Sequence, residues 1–160
     1  MRKIVKTVGK SGGEDASSEE EGWLDLESLA QVEVTSELPE FPIESALVAG
    51  RGRKWCASGP GAQTILVKFD QPQRLRRIVL RFVEEERQRI QEFTLSSSAD
   101  GGRSFREILR QQWNFSPSGS RAESEDHRVD LTGVTALKLA INPDIGQGEA
   151  PATLSELRLA

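Results

Sequence analysis

The chain has one cysteine and one histidine in 160 residues. A single thiol, Cys56, excludes an intrachain disulfide, the usual staple of a secreted β-domain, and points to a reducing compartment. The lone His127 excludes a metal site built on a histidine pair and leaves any hydrolytic triad only that residue. No stretch approaches the roughly 18 apolar residues that a membrane-spanning helix needs. The basic start Met1-Arg2-Lys3-Ile4-Val5-Lys6 runs into Gly9-Lys10-Ser11-Gly12-Gly13-Glu14, where a signal peptide requires at least ~7 apolar residues. Gly-x-Ser-x-Gly, His-Glu-x-x-His and a complete phosphate-binding loop are missing too. Gly9-Lys10-Ser11 has the end of a P-loop without its upstream glycine. These absences predict a cytoplasmic, soluble protein that is neither an enzyme nor a holder of a cofactor.

Charge is present but unevenly spread. Hydrophobic residues make up 36% and charged residues 29%, on the polar side for a globular chain. Residues 1–40 carry ten acids against four bases, a net of −6, so the remaining 15 acids and 17 bases give residues 41–160 a net of +2. A nucleic-acid binder needs a clustered basic excess over the whole domain, so nucleic acid is not an expected partner. Residues 7–21 are almost all Gly, Ser, Glu and Asp, too polar to offset ordering entropy. The expected organisation is a flexible acidic head over 1–21 and one domain over 22–160.

Within that domain the apolar residues recur with period two. Ile65, Val67 and Phe69 form one set, Ile78, Leu80 and Phe82 another, and Leu137, Leu139 and Ile141 a third. Each set buries one strand face and wets the other. Strands are expected over 31–36, 64–69, 75–83, 90–96, 103–111, 127–131, 136–141 and 153–159. Pro42 begins one helical turn, where its missing N–H is harmless, and 22–30 reads as either a short helix or an extended lead-in. Asp100-Gly101-Gly102, between the alternating segments Phe93-Thr94-Leu95-Ser96 and Ser104-Phe105-Arg106-Glu107, is a strong hairpin signal. About eight short strands without a long helical period predict an all-β antiparallel sandwich or jelly roll. Arg74, Arg76, Arg77 and Arg81 read either as a solvated sheet face guarding an edge or as an anion-binding stripe.

Several segments, in order, resemble the discoidin or factor V/VIII type C family. They are Val34-Thr35-Ser36-Glu37, Pro42-Ile43-Glu44-Ser45-Ala46-Leu47, Trp55-Cys56-Ala57-Ser58, the strand Gln63 to Asp70, Ala99-Asp100-Gly101-Gly102-Arg103-Ser104-Phe105 and Thr153 to Leu159. The resemblance spans 31–160 and implies a galactose-binding-like sandwich that binds ligands through loops at one end. Arg53-Lys54-Trp55 and Phe115-Ser116-Pro117-Ser118-Gly119-Ser120 also resemble the amino-terminal domain of the single-strand-break-repair scaffold protein, which implies a protein partner. The chain departs from the family in its single cysteine, its polar Arg51-Gly52-Arg53 loop and its lack of an early Asp-Gly-Asn.

Two clusters stand out as ligand contacts. Trp55 lies beside Arg51 and Arg53 in a glycine-rich loop. An indole there either stacks on a sugar ring while the arginines bond its hydroxyls, or plugs the end of the sandwich. Gln112, Trp113 and Asn114 combine amides with an aromatic ring, suited to a hydroxyl-rich ligand or a peptide, unless Trp113 packs at a strand end. Asn142, Asp144 and Asp100 carry calcium-ligating oxygens but read as turn formers, so no metal is expected. The expected partner is a carbohydrate or a protein, with oligomeric state open.

Overall fold

The computed structural model describes residues 4–7 and 22–160. Among the described residues, nine strands and two helical turns follow one another as β1 (Ile4–Thr7), α1 (Leu26–Leu29), β2 (Ala30–Val34), α2 (Glu44–Leu47), β3 (Trp55–Pro60), β4 (Gln63–Val83), β5 (Arg89–Ser98), β6 (Arg106–Phe115), β7 (Ala122–Asn142), β8 (Pro151–Leu154) and β9 (Glu156–Leu159). The all-β antiparallel sandwich expected from the period-two pattern is what forms. Among the described residues no helix is long and apolar enough to cross a membrane.

Two long strands make both layers. The first part of β4 pairs with β2 on one side and the end of β7 on the other. Its second part pairs with β9 and the start of β7. Register breaks between Lys68 and Arg77 mark the corner that β4 and β7 turn together, helped by Gly133 at φ 65°, a backbone state costly for any residue with a Cβ. The front layer therefore runs β1-β2-β4-β7-β5-β6, and the back layer is β9 with the returning halves of β4 and β7. The two-stranded β3–β8 sheet closes one end.

The three alternating sets identified in the sequence fill the interior. Ile65, Val67, Ile78, Leu80, Phe82, Leu137, Leu139 and Ile141 are all nearly inaccessible, and Phe69 is buried with them. Phe82 of the back layer meets Phe93 of the front layer with ring centroids 5.1 Å apart, so the layers interdigitate as well-packed sandwiches do. Leu24 donates its N–H to the Leu159 carbonyl at 2.7 Å, so the lead-in runs beside β9 before α1. Of the stretch expected to be a flexible head, Ile4–Thr7 form a strand against β2. Its Ile-Val-Lys-Thr composition is rich in β-branched residues, and the rest of that stretch lies outside the described residues.

The strand boundaries differ from expectation where turns are wired by side chains. Asp100 accepts from the Ser104 N–H at 2.9 Å and hydroxyl at 2.6 Å, and from the Ser98 hydroxyl at 2.7 Å. The turn thus consumes residues through Phe105, and β6 begins three residues later than expected. β3 was not expected as a strand, because Trp55-Cys56-Ala57-Ser58-Gly59-Pro60 has no alternation.

Candidate functional site

One end of the sandwich gathers the loops. There β4 and β5 begin, β6 and β7 end, and segments 35–54, 84–88, 116–121 and 143–150 cross between elements. Arg89 fixes this end from within. It is 2% exposed, its Nε donates to Glu84 Oε1 at 2.8 Å, and its Nη1 donates to the Pro143 carbonyl at 2.8 Å and to Gln91 Oε1 at 3.1 Å. Its guanidinium also lies 4.6 Å from the Phe115 ring centroid. One planar, always-charged fork therefore ties two loops to β5 and to the end of β6. Sequence reading gave Arg89 no role, since nothing local marks an arginine before a strand as buried.

On that fixed end sits a cleft of about 390 Å³, lined by Phe41, Arg53, Lys54, Glu84–Glu86 and Thr153 among others. Glu84 is committed to Arg89, and its second oxygen accepts the Glu86 N–H at 3.2 Å. Glu85 and Glu86 are exposed. Lys54 Nζ stands 5.1 Å from the Phe41 ring centroid. The Thr153 hydroxyl is buried and has no hydrogen-bond partner among the described residues. The cleft thus combines one aromatic face with carboxylate acceptors and cationic donors, the mixture that grips a polyhydroxylated ring.

The residues singled out in the sequence do not come together. Trp55 is 0% exposed, with its indole N–H on the Ser36 carbonyl at 3.1 Å. This corrects the stacking role: an enclosed ring has no face to offer, and Trp55 plugs the end of the sandwich. Arg53 lines the cleft, whereas Arg51 pairs with Glu27 on α1. Gln112, Trp113 and Asn114 lie inside β6, so alternation divides them between its two faces. Gln112 donates to Glu92 at 2.7 Å on the outer face. Trp113, opposite Gln91 in the register, is on the inner face at the sheet edge and 36% exposed. Phe41, Lys54 and the Glu84–Glu86 run were missed. Their signal was an acidic triplet between two strands and an aromatic residue before Pro42, both readable as ordinary loop composition.

Facing β5 across the interior, the start of β7 turns Glu123, Glu125 and His127 inward. Glu123 is 1% exposed, and Gln91 Nε2 approaches its Oε1 at 3.4 Å. Burial pushes its carboxyl up to about 7; hydrogen bonding to Glu125 and that group's charge act the same way, while Gln91 and Arg89 oppose. His127 Nε2 lies 2.8 Å from Glu125 Oε2. Among the described residues no group of three or more His, Cys, Asp and Glu side chains is placed to hold a metal ion. The arginine row has partners on the neighbouring strand: Arg77 makes two bonds to Asp126, at 2.9 and 2.7 Å, and Arg74 one to Asp130 at 3.1 Å.

Two sheets closed by a cleft at the loop end define a galactose-binding-like sandwich. Residues 31–157 match the F5/8 type C domain, and the chain belongs to that family. Solved structures of similar fold include the family 32 CBM of Clostridium perfringens NanJ in complex with galactose. It is 14% identical at TM-score 0.59, with 81% of this chain and 92% of that one covered. The Clostridium perfringens CpGH89CBM32-5, in complex with GalNAc-β-1,3-galactose, is 18% identical at TM-score 0.59, covering 81% of this chain and 94% of that one. A Ruminococcus gnavus GH29 fucosidase shares the fold at 15% identity and TM-score 0.62; 81% of this chain aligns with only 24% of that protein. No curated protein matches the chain.

Proposed function

We propose that the chain is a non-catalytic module that binds carbohydrate in the loop-end cleft. The observation that carries this is the cleft's composition, with the Phe41 ring beside Arg53, Lys54, Glu85 and Glu86 on a scaffold held by Arg89. Phe41 offers a sugar its apolar face, Glu85 and Glu86 accept from adjacent hydroxyls, and Arg53 and Lys54 donate to ring and hydroxyl oxygens. Of the residues expected to contact ligand in that loop, Arg53 lines the cleft, while the enclosed Trp55 does not. Support comes also from relatives of the same fold that were solved with galactose and with GalNAc-β-1,3-galactose. Calorimetric titration with galactose-containing disaccharides tests it. Saturable binding is expected, weakened at least tenfold by Arg53→Ala or by Glu85→Ala with Glu86→Ala. Binding that ignores all three substitutions refutes the site.

A second reading is a cytoplasmic protein-interaction module of the repair-scaffold kind. The observation favouring it is the outer edge of β6, ten residues long and without a strand neighbour among the described residues, with Trp113 exposed beside it. An extended partner segment adds to such an edge through main-chain bonds. A buried thiol at Cys56, whose pKa burial raises, is compatible with that compartment. Pull-down with wild type and Trp113→Ala separates the readings: a partner lost with the indole supports this one.

A further inference from the structure

The hairpin that dominates the sequence is not absorbed by the loop-end cleft. It lies at the opposite end, and its wiring through Asp100 places Phe105 over the outer, solvent-facing side of the front sheet. Lys138 Nζ of β7 rests 4.1 Å from the Phe105 ring centroid. Opposite Lys138 in the register stand Leu66 on β4 and Ser96 on β5, neither able to neutralise an ammonium. Among the described residues no carboxylate forms an ion pair with it. The acids of this face are already paired, Glu33 with Lys68 at 3.0 Å and Glu92 with Gln112 at 2.7 Å and Arg110 at 3.7 Å. Among the described residues Lys138 is thus a cation with no ion-pair partner, held against an aromatic ring.

Lys138 borders a depression of about 220 Å³, walled by Phe105, Gly102 and the Glu33 side chain that Lys68 neutralises, and floored by Leu66 and Thr64. A second depression of about 310 Å³ adjoins it, sharing Thr35 and Thr64 and extending over Thr94 and Ala140 to Glu92 and Asn142. Thr64, Ala140 and Thr94 are register partners on β4, β7 and β5, so small side chains make a low row across the sheet between taller polar walls. With strands ~4.8 Å apart, a trough from β2 to β5 is roughly 14 Å long. Main-chain groups in the middle of a sheet are consumed by neighbouring strands, so no peptide strand can add there. What fits is a flat, amphipathic chain that lays C–H faces on the methyl floor, reaches the walls with hydroxyls and carries negative charge to Lys138.

We propose that this trough is a second binding site, separate from the loop-end cleft, for a short acidic oligosaccharide whose carboxylate is read by Lys138 over Phe105. The test uses the full chain with tetragalacturonate as probe and a neutral galactose tetrasaccharide as control, followed by amide NMR shifts. Tetragalacturonate is expected to shift Leu66, Thr94, Lys138 and Ala140. Lys138→Gln, a surface change that spares the core, should weaken binding about fivefold and flatten its salt dependence. Phe105→Ala should weaken it similarly, and Arg53→Ala in the other cleft should leave it unchanged. Shifts confined to the loop end, equal shifts of the trough amides by the neutral control, indifference to Lys138→Gln, or no saturable trough shifts in the millimolar range would each overturn the proposal. Because the two sites are probed by different ligands and variants, failure of the loop-end reading leaves this one standing, and the reverse.

Discussion

Replacing Glu123 with glutamine should stabilise the protein above neutral pH and change little below pH 5. Glu123 is buried between the layers, faced by Glu125 on its own strand and by Gln91 and Arg89 from β5. Its carboxyl is raised from 4.5 to about 7, so the folded state holds a proton that the unfolded chain releases earlier. The stabilisation from that proton is complete below pH 4.5, declines between 4.5 and about 7, and is gone above. At about 1.36 kcal/mol per pH unit, the span is worth about 3 kcal/mol. Glutamine is neutral at every pH, as the protonated carboxyl is, and its carbonyl can still accept from Gln91. Chemical denaturation of both proteins at pH 5 and pH 8.5 reads the difference directly. The two should lie within about 1 kcal/mol at pH 5, with the variant's lead growing by about 2–3 kcal/mol at pH 8.5, or roughly 4–12 °C in melting temperature. A difference independent of pH would refute the reasoning.

Other substitutions separate framework from surface. Arg89→Ala should cost about 3–5 kcal/mol by denaturation, since it strands Glu84 and frees the Pro143 loop. Trp55→Ala should cost a similar amount in stability, whereas Trp113→Ala should change it by less than about 1 kcal/mol; the opposite order would mean the two indoles are misassigned. Asp100 is held below the usual carboxylate range by hydrogen bonds from Ser104 and Ser98. Its stabilisation is present above the unfolded value and lost as pH falls through the folded one, so Asp100→Asn should lower the melting temperature at pH 7 and shrink that deficit in acid.

The strands were legible because a half-buried sheet imposes period two on its residues. Ile65-x-Val67-x-Phe69 and its two counterparts needed nothing beyond that rule. The corner joining the two halves of β4 was not legible, since polar residues between apolar sets read as a loop, not a bend in one strand. The cluster Gln112-Trp113-Asn114 failed for a related reason. With the turn extended by Asp100 and Ser104, these residues became strand, and strand alternation separated them. Trp55 showed both possibilities in the sequence, and only tertiary enclosure by β3, β8 and the Ser36 carbonyl decides between them. The cleft residues come from three segments far apart in the chain, and no local pattern announces that Phe41, Arg53 and Glu85 will meet.

The most direct test of the loop-end cleft is an amide NMR titration of the whole chain with GalNAc-β-1,3-galactose. Shifts centred on Phe41, Arg53, Lys54, Glu85 and Glu86, saturating and weakened at least tenfold in affinity by Arg53→Ala, are the predicted result. Saturating shifts located elsewhere, or none at all across mono- and disaccharides containing galactose, would contradict it.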